Sequence, residues 1–221
     1  MLYGCQSCSL VQILDVVDRK SLYEDYRYLT GISLRQHFRD YACYLHKNYL
    51  KSKDAVLEIG SNDGTLLQAL KDEGIKGIGV DPAKNVAKIA QKQGIETIIG
   101  YFDLNIAKKV IRKHGKVQAV LANNVLGHID DIDTVMQGID TVLSDTGVFI
   151  FEIYYLVDLI EKSEYDIIYN EHMSYYSINS LKPYLEYFGF TIFKIDRIPT
   201  HGGSIRVYCC RSSFFMPIED S

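Results

Sequence analysis

From residue 54 onward, short apolar runs alternate with helical patterns, and that alternation leaves few folds open. AVLEIG (55–60) reads as a buried strand and TLLQALKDEG (65–74) as a helix ending at Gly74. IKGIGVD (75–81) is a strand, and PAKNVAKIAQKQG (82–94) a helix with proline near its first turn and glycine at its end. ETIIGYF (96–102), QAVLANNV (118–125) and GVFIFEIY (147–154) continue the strands. DLNIAKKVIRKHG (103–115) and IDTVMQGIDTVLSDTG (132–147) are the helices between them. Strands apolar on both faces need helices on both sides, so the expected fold is α/β with a mostly parallel sheet. GFTIFKIDRIP (189–199) and GSIRVYCCR (203–211) follow one another without a helix, as an antiparallel pair closing one edge would. The first 50 residues are tyrosine-rich and are expected to be mostly helical, forming a lid. The expected division is a cap over 1–50, the α/β domain over 51–211 and a tail over 212–221.

Charge and cysteine usage narrow the function. The formal charge of −4 and the lack of a long basic run argue against nucleic acid as a partner, because duplex binding rests on neutralising phosphates. No apolar stretch approaches the roughly 20 residues that cross a bilayer, so no membrane partner is expected. The start, MLYGCQSCSLVQ, has neither the basic residues nor the apolar run of a signal peptide, which makes a cytoplasmic location the expectation. Five cysteines suit a reducing compartment; Cys43, Cys209 and Cys210 read as packing. Cys5 and Cys8 form a CxxC, half of a tetrahedral zinc site whose other two ligands have no counterpart at the right spacing.

The turn after the first strand carries the chemistry. In Glu58-x-Gly60-x-x-x-Gly64 a strand passes directly into a helix; Gly60 allows a tight turn and lets a ligand lie against bare backbone. A P-loop would need a lysine behind the glycine, and a dinucleotide fingerprint would need glycine where Asn62 stands. Glu58 and Asp63 make the loop negative, which suits a cation better than a pyrophosphate. Asp81, ending the next strand, can accept hydrogen bonds from ribose hydroxyls. A ligand with a ribose, a positive end and no phosphate matches S-adenosylmethionine.

The pattern ExGxxxG, followed by an acid at the end of the next strand, resembles the class I methyltransferases, whose fold is Rossmann-like. That resemblance implies that Gly60 and Gly64 bound the methionine and ribose pocket and that Asp81 takes the ribose hydroxyls. It places Tyr101 and Phe102 beside adenine and Asn123 on the sulfonium side, with Glu58, Asn62, Pro82 and Asn124 in the same cofactor set. CQSCSLVQ, LYEDYRYLTGIS (22–33), NNVLGHIDDI (123–132), IIYNEHMSYYS (167–177) and HGGSIRVY (201–208) occur in an order similar to that of the sugar C-methyltransferases of deoxysugar biosynthesis. Those enzymes methylate C3 of a nucleotide-linked 4-keto-dideoxysugar, so the implied partner is a small molecule of that class.

Methylating carbon requires an enolate, and a neutral histidine titrates near operating pH and can remove the proton. His172 is the candidate base. Glu171 would hold a substrate hydroxyl or tune the imidazole, and Tyr169 would donate to an enolate oxygen. The family pattern also puts His128 and Tyr23 at the sugar. The relatives usually carry a further CxxC upstream and a further α/β domain downstream, so this chain is expected to be shortened at both ends, which leaves zinc open. Two other readings stand beside the first: an O- or N-methyltransferase acting on a small molecule, and a cofactor-binding protein without turnover. Oligomeric state has no signature here.

Overall fold

This computed structural model describes residues 1–23, 26, 28–214 and 216–218. Residues 215 and 219–221 of the expected tail, and 24, 25 and 27 of the tyrosine-rich stretch, lie outside the described residues. The chain begins with a hairpin, β1 (Leu2–Gly4) and β2 (Val11–Ile13), followed by α1 (Arg19–Tyr23) and α2 (Ile32–Asn48). The α/β portion runs β3 (Ala55–Ile59), α3 (Thr65–Asp72), β4 (Lys76–Asp81), α4 (Lys84–Lys92), β5 (Glu96–Ile99), α5 (Leu104–His114) and β6 (Val117–Asn123). It continues through α6 (Ile132–Val142), β7 (Leu143–Tyr154), α7 (Leu156–Lys162), β8 (Ser174–Tyr175), α8 (Ile178–Tyr187), β9 (Phe190–Ile198) and β10 (Ser204–Arg211).

Seven strands form one sheet in the order β5-β4-β3-β6-β7-β10-β9. The first five are mutually parallel, and β10 runs antiparallel to both β7 and β9. The α/β fold with a mostly parallel sheet and an antiparallel edge is therefore as the alternation predicts. Strand period two splits the core between two faces. Leu57, Ile59, Val120, Ala122, Phe149 and Phe151 meet α5, α6 and α8 through Ile106, Val110, Val135, Ile139, Leu181 and Leu185. Val56, Ala119, Leu121, Val148 and Ile150 meet α2, α3 and α4 through Phe38, Tyr41, Leu45, Leu66, Leu70 and Ala90.

Three expectations change. Residues 2–13 form a hairpin instead of helix, and β2 pairs with β8 in a small second sheet that ties the N-terminus to the segment around His172. The helix expected to reach Gly147 stops at Val142, because Leu143 is buried and pairs with Val117 to begin β7. Cys43 faces outward from α2 and is exposed, whereas Cys209 and Cys210 are buried. Among the described residues, no helix is long and apolar enough to cross a membrane.

Candidate active site

The sheet reverses its winding between β3 and β6, and a crevice opens beyond the carboxyl ends of the strands there. It encloses about 430 Å³, within the range of small-molecule sites. Gly60 makes the turn out of β3 at φ +70°, and a β-carbon on it would lie 2.9 Å from Val125 Cγ2, so the position demands glycine twice over. Asp81, at the end of β4, accepts N–H bonds from Asn62 and Ala83, each at 2.8 Å, one on each carboxylate oxygen. Both oxygens keep lone pairs for a ligand. Burial pushes the Asp81 carboxyl upward, and those two N–H bonds oppose the shift.

Among the described residues the lining is acidic: it holds Glu58, Asp81, Asp103, Asp130 and Asp131 against the one guanidinium of Arg19. Among the described residues that line it, the buried side-chain atoms without a hydrogen-bond partner are oxygens: Glu58 Oε2, Ser61 Oγ, Asn62 Oδ1, Asn123 Oδ1 and Asn124 Oδ1. Burial drives the Glu58 carboxyl well above its ordinary range, against a single 3.3 Å bond from Asn123 Nδ2. A cation beside it would restore its charge. Unpaired buried acceptors cost free energy, so the crevice is built for a ligand rich in donors and positive charge.

A strap from the N-terminal region crosses the mouth. Tyr101 donates its hydroxyl to Arg19 O at 3.0 Å, and the Arg19 guanidinium lies 4.7 Å above the Tyr101 ring. Asn85 Nδ2 donates to Tyr26 O at 2.6 Å, Asn62 Nδ2 to Tyr28 O at 2.9 Å, and Thr30 Oγ1 to Asp63 Oδ1 at 2.8 Å. Asn62, the residue that departs from a dinucleotide fingerprint, is thus a fastener for the strap. It reaches Tyr28 from a left-handed backbone at φ +49°.

At one end of the crevice stands His128, with a second histidine, His172, packed against it. The Tyr23 hydroxyl lies 3.2 Å from His128 Nδ1, and the His128 and His172 rings meet edge-on with centroids 4.7 Å apart. His172 Nδ1 lies 2.7 Å from Ile167 O. A carbonyl only accepts, so the Nδ1 proton is fixed and Nε2 is left as the basic nitrogen. Burial pushes His172 down to about 4 and His128 down to about 3, which keeps both rings neutral near pH 7. Tyr169 packs on His172 at 4.0 Å between centroids. Burial raises the Glu171 carboxyl.

Of the residues anticipated for cofactor binding, Glu58, Gly60, Asn62, Asp81, Pro82, Tyr101, Phe102, Asn123 and Asn124 line the crevice. Gly64 does not. It starts α3 at φ +79°, where a β-carbon would lie 2.9 Å from Ala90 Cβ, so it serves the packing of α3 against α4. Gly64→Ala is expected to cost roughly 1–3 kcal/mol in denaturant unfolding, from left-handed strain plus overpacking, while the crevice keeps its affinity for ligand. Tyr23 and His128 line the crevice, whereas Tyr169, Glu171 and His172 do not; His172 packs edge-on against His128, and Tyr169 packs on His172. Cys5 and Cys8 sit exposed at the hairpin turn, and the Cys8 and Ser7 N–H groups hold the Cys5 thiol below its ordinary range. Among the described residues, no group of three or more His, Cys, Asp or Glu is arranged to hold a metal. Arg19, Asn85 and the strap carbonyls went unread in the sequence, because side-chain bonds to distant backbone follow no local pattern.

A family model described as a methyltransferase domain matches residues 33–195. The C-methyltransferase NovU of Streptomyces niveus is 33% identical over 207 residues, which is 92% of this chain and 49% of that protein. The chain therefore spans about half the length of the curated relative it matches. Among solved structures, the PH0226 protein from Pyrococcus horikoshii OT3 aligns with a TM-score of 0.65 at 16% identity, covering 87% of this chain and 97% of that one. Magnesium protoporphyrin IX methyltransferase from Synechocystis PCC 6803, solved with bound SAH, aligns with a TM-score of 0.61 at 15% identity, covering 84% and 90%. At these identities the two structures speak for the fold alone.

Proposed function

The chain belongs to the methyltransferase domain family, and from that premise we propose that it moves a methyl group from S-adenosylmethionine to an enolisable carbon of a nucleotide-linked keto-deoxysugar, with His172 as the base. The observation that carries the carbon-acceptor reading is the pairing of two neutral imidazoles, a half-buried His128 at the end of an acidic crevice and a buried His172 against it whose Nε2 is left unprotonated. An O- or N-acceptor would need a base less, since its lone pair is already in place.

The crevice fits the cofactor. Its unpartnered oxygens match an ammonium, a sulfonium and ribose hydroxyls, and Asp81 offers its free lone pairs to the ribose. When bound, the cofactor supplies an electrophilic methyl group with a neutral thioether as leaving group. Tyr101 and Phe102 would flank its adenine from the β5 side, and Pro82 would border the ribose. Asn123 and Asn124 would lie toward the reacting methyl. The acidic lining disfavours phosphate, so the nucleotide part of the acceptor would extend away from the crevice.

The acceptor chemistry falls to the histidine end. His172 removes the proton next to the ketone through Nε2, and the imidazolium that forms keeps its Nδ1–H bond to Ile167 O. Burial holds the Tyr23 phenol protonated; by donating to His128 Nδ1 it leaves Nε2–H of His128 as a neutral donor for a sugar oxygen. Tyr169 donates to the enolate oxygen, and Glu171 holds a hydroxyl. The 33% identity to a C-methyltransferase supports the choice of carbon.

The test uses a nucleotide-linked 4-keto-2,6-dideoxyhexose in deuterium oxide, with the demethylated cofactor as a non-reacting partner. Deuterium should enter at the carbon beside the ketone, and the complete cofactor should then give a new carbon-bound methyl signal. Methylation at oxygen or nitrogen without exchange would replace this reading. Cofactor binding with neither exchange nor transfer would remove it.

A further inference from the structure

Tyr154 takes no part in the chemistry above and does not line the crevice, yet it is almost wholly buried (2% exposed) at the end of β7, directly behind His172. Its ring stacks on the His172 imidazole, with centroids 4.5 Å apart and planes 28° from parallel. Tyr169 covers another side of the imidazole and His128 meets it edge-on. The ring plane of His172 is thereby fixed, and with it the aim of Nδ1 at Ile167 O.

The phenol is itself held by a device with three parts. Its hydroxyl donates to Ser174 O at 2.9 Å. It reaches that oxygen through a notch at Gly127, where any β-carbon would lie 2.0 Å from the Tyr154 hydroxyl oxygen. The Met173 N–H donates to Gly127 O at 2.8 Å, binding the His128 turn to the His172 segment beside the notch. Three stretches far apart in sequence, ending at residues 128, 154 and 174, are clamped around one aromatic ring. Gly127 requires no unusual backbone there; the lack of a side chain is what its position uses.

We propose that Tyr154, with its hydroxyl seated in the notch left by Gly127, is the positioning residue that fixes the plane and tautomer of the His172 imidazole. The consequence for catalysis rests on His172 being the base; the consequence for the imidazole rests on geometry alone. Other titratable groups face that ring: His128 from the turn before α6, Tyr169 from its own segment and, through its charge, His201 from the turn before β10; Tyr23 of α1 touches His128, and Tyr175 of β8 touches Tyr154. Tyr175 also shares the Ile167 carbonyl, at 3.5 Å. None of the others stacks on His172 from β7, so none replaces Tyr154.

The experiment is nitrogen-15 NMR of the histidine side chains in the full chain, with the His172 signal identified by its loss in His172→Asn. The parent should show a single Nδ1–H tautomer and a low titration midpoint. In Tyr154→Leu the stack is gone and water can reach the ring. The midpoint should rise by about one pH unit or more toward the unperturbed value, with both tautomers present. Tyr154→Phe keeps the ring and should stay within about half a unit of the parent. Gly127→Ala retains the phenol but blocks its seat, and should behave like Tyr154→Leu; it also carries the test if the leucine variant fails to fold. Parent-like midpoint and tautomer in the folded Tyr154→Leu or Gly127→Ala protein would overturn the proposal. If the imidazole changes as expected but deuterium exchange into the keto-sugar does not, Tyr154 stands and the assignment of His172 as base falls.

Discussion

Replacing His172 with asparagine is expected to lower deuterium exchange at the carbon beside the ketone by roughly 10²–10⁴-fold, the usual contribution of a positioned general base. Cofactor affinity should hold, because His172 stands behind His128 and does not line the crevice. The pH profile gives the sign. Burial pushes His172 down to about 4, against the Ile167 hydrogen bond that favours its charged form. Only the unprotonated imidazole can take a proton, so exchange in the parent should climb through about pH 4 and run level to neutrality. The asparagine variant should lose the climb along with the rate. Proton signals of the keto-sugar in deuterium oxide, followed between pH 3.5 and 8 with isothermal titration of the demethylated cofactor alongside, measure both quantities. Exchange at the parent rate would take His172 out of the mechanism.

How much of this was open to reading from the sequence depends on the range of the forces involved. Strand identity came from local period and composition, so the five parallel strands and the antiparallel edge were legible in stretches such as AVLEIG and GSIRVYCCR. Gly60 and Asp81 were legible because a glycine at a strand end and an acid at the next strand end are local features. Their spatial meeting follows from parallel neighbours in register, Ile59 beside Val80. The packing of Gly64 was not legible, because a helix-packing glycine and a ligand-facing glycine have the same letter; the contact with Ala90, on the next helix, appears only in the fold. The hairpin of residues 2–13 gave no strong period in so short a run, and its partner β8 lies some 160 residues away. Tyr154 was read as one more residue of a buried strand. What distinguishes it is the empty space at Gly127, and a sequence does not record emptiness.

The other large effect expected is on stability, and it arises from a buried charge pair beneath the same crevice. Glu152 on β7 is wholly buried (0% exposed) and faces Arg206 directly across the β7–β10 ladder. Arg206 Nε donates to it at 2.7 Å, and His37 Nε2 of α2 lies 3.0 Å from both carboxylate oxygens. The guanidinium also rests 3.6 Å above the Tyr41 ring. Burial drives the Glu152 carboxyl up; His37 and Arg206 together overcome that and hold it below its ordinary range. A carboxyl with a depressed folded pKa contributes stability above its unfolded pKa, and that stability is lost as pH falls through the folded value. Arg206→Met should therefore cost about 3–5 kcal/mol at pH 7, because it leaves a buried carboxylate facing His37 alone. Its sign with pH should also reverse. With burial less opposed, the folded pKa of Glu152 moves up, and protonation in acid removes the unpaired charge. The gap to the parent in urea unfolding should shrink as pH drops toward 4. Glu152→Met combined with Arg206→Met should recover much of the loss, since a dry apolar pair replaces a half-satisfied one. The pair also bears on the crevice: Glu152 is the ladder partner of Asn123, and its carbonyl accepts the Asn124 N–H at 2.7 Å. Cofactor affinity in Arg206→Met should consequently weaken where the protein is still folded. A loss below about 1 kcal/mol, or one that stays constant from pH 7 to pH 4, would mean that the pair is better solvated than its burial implies.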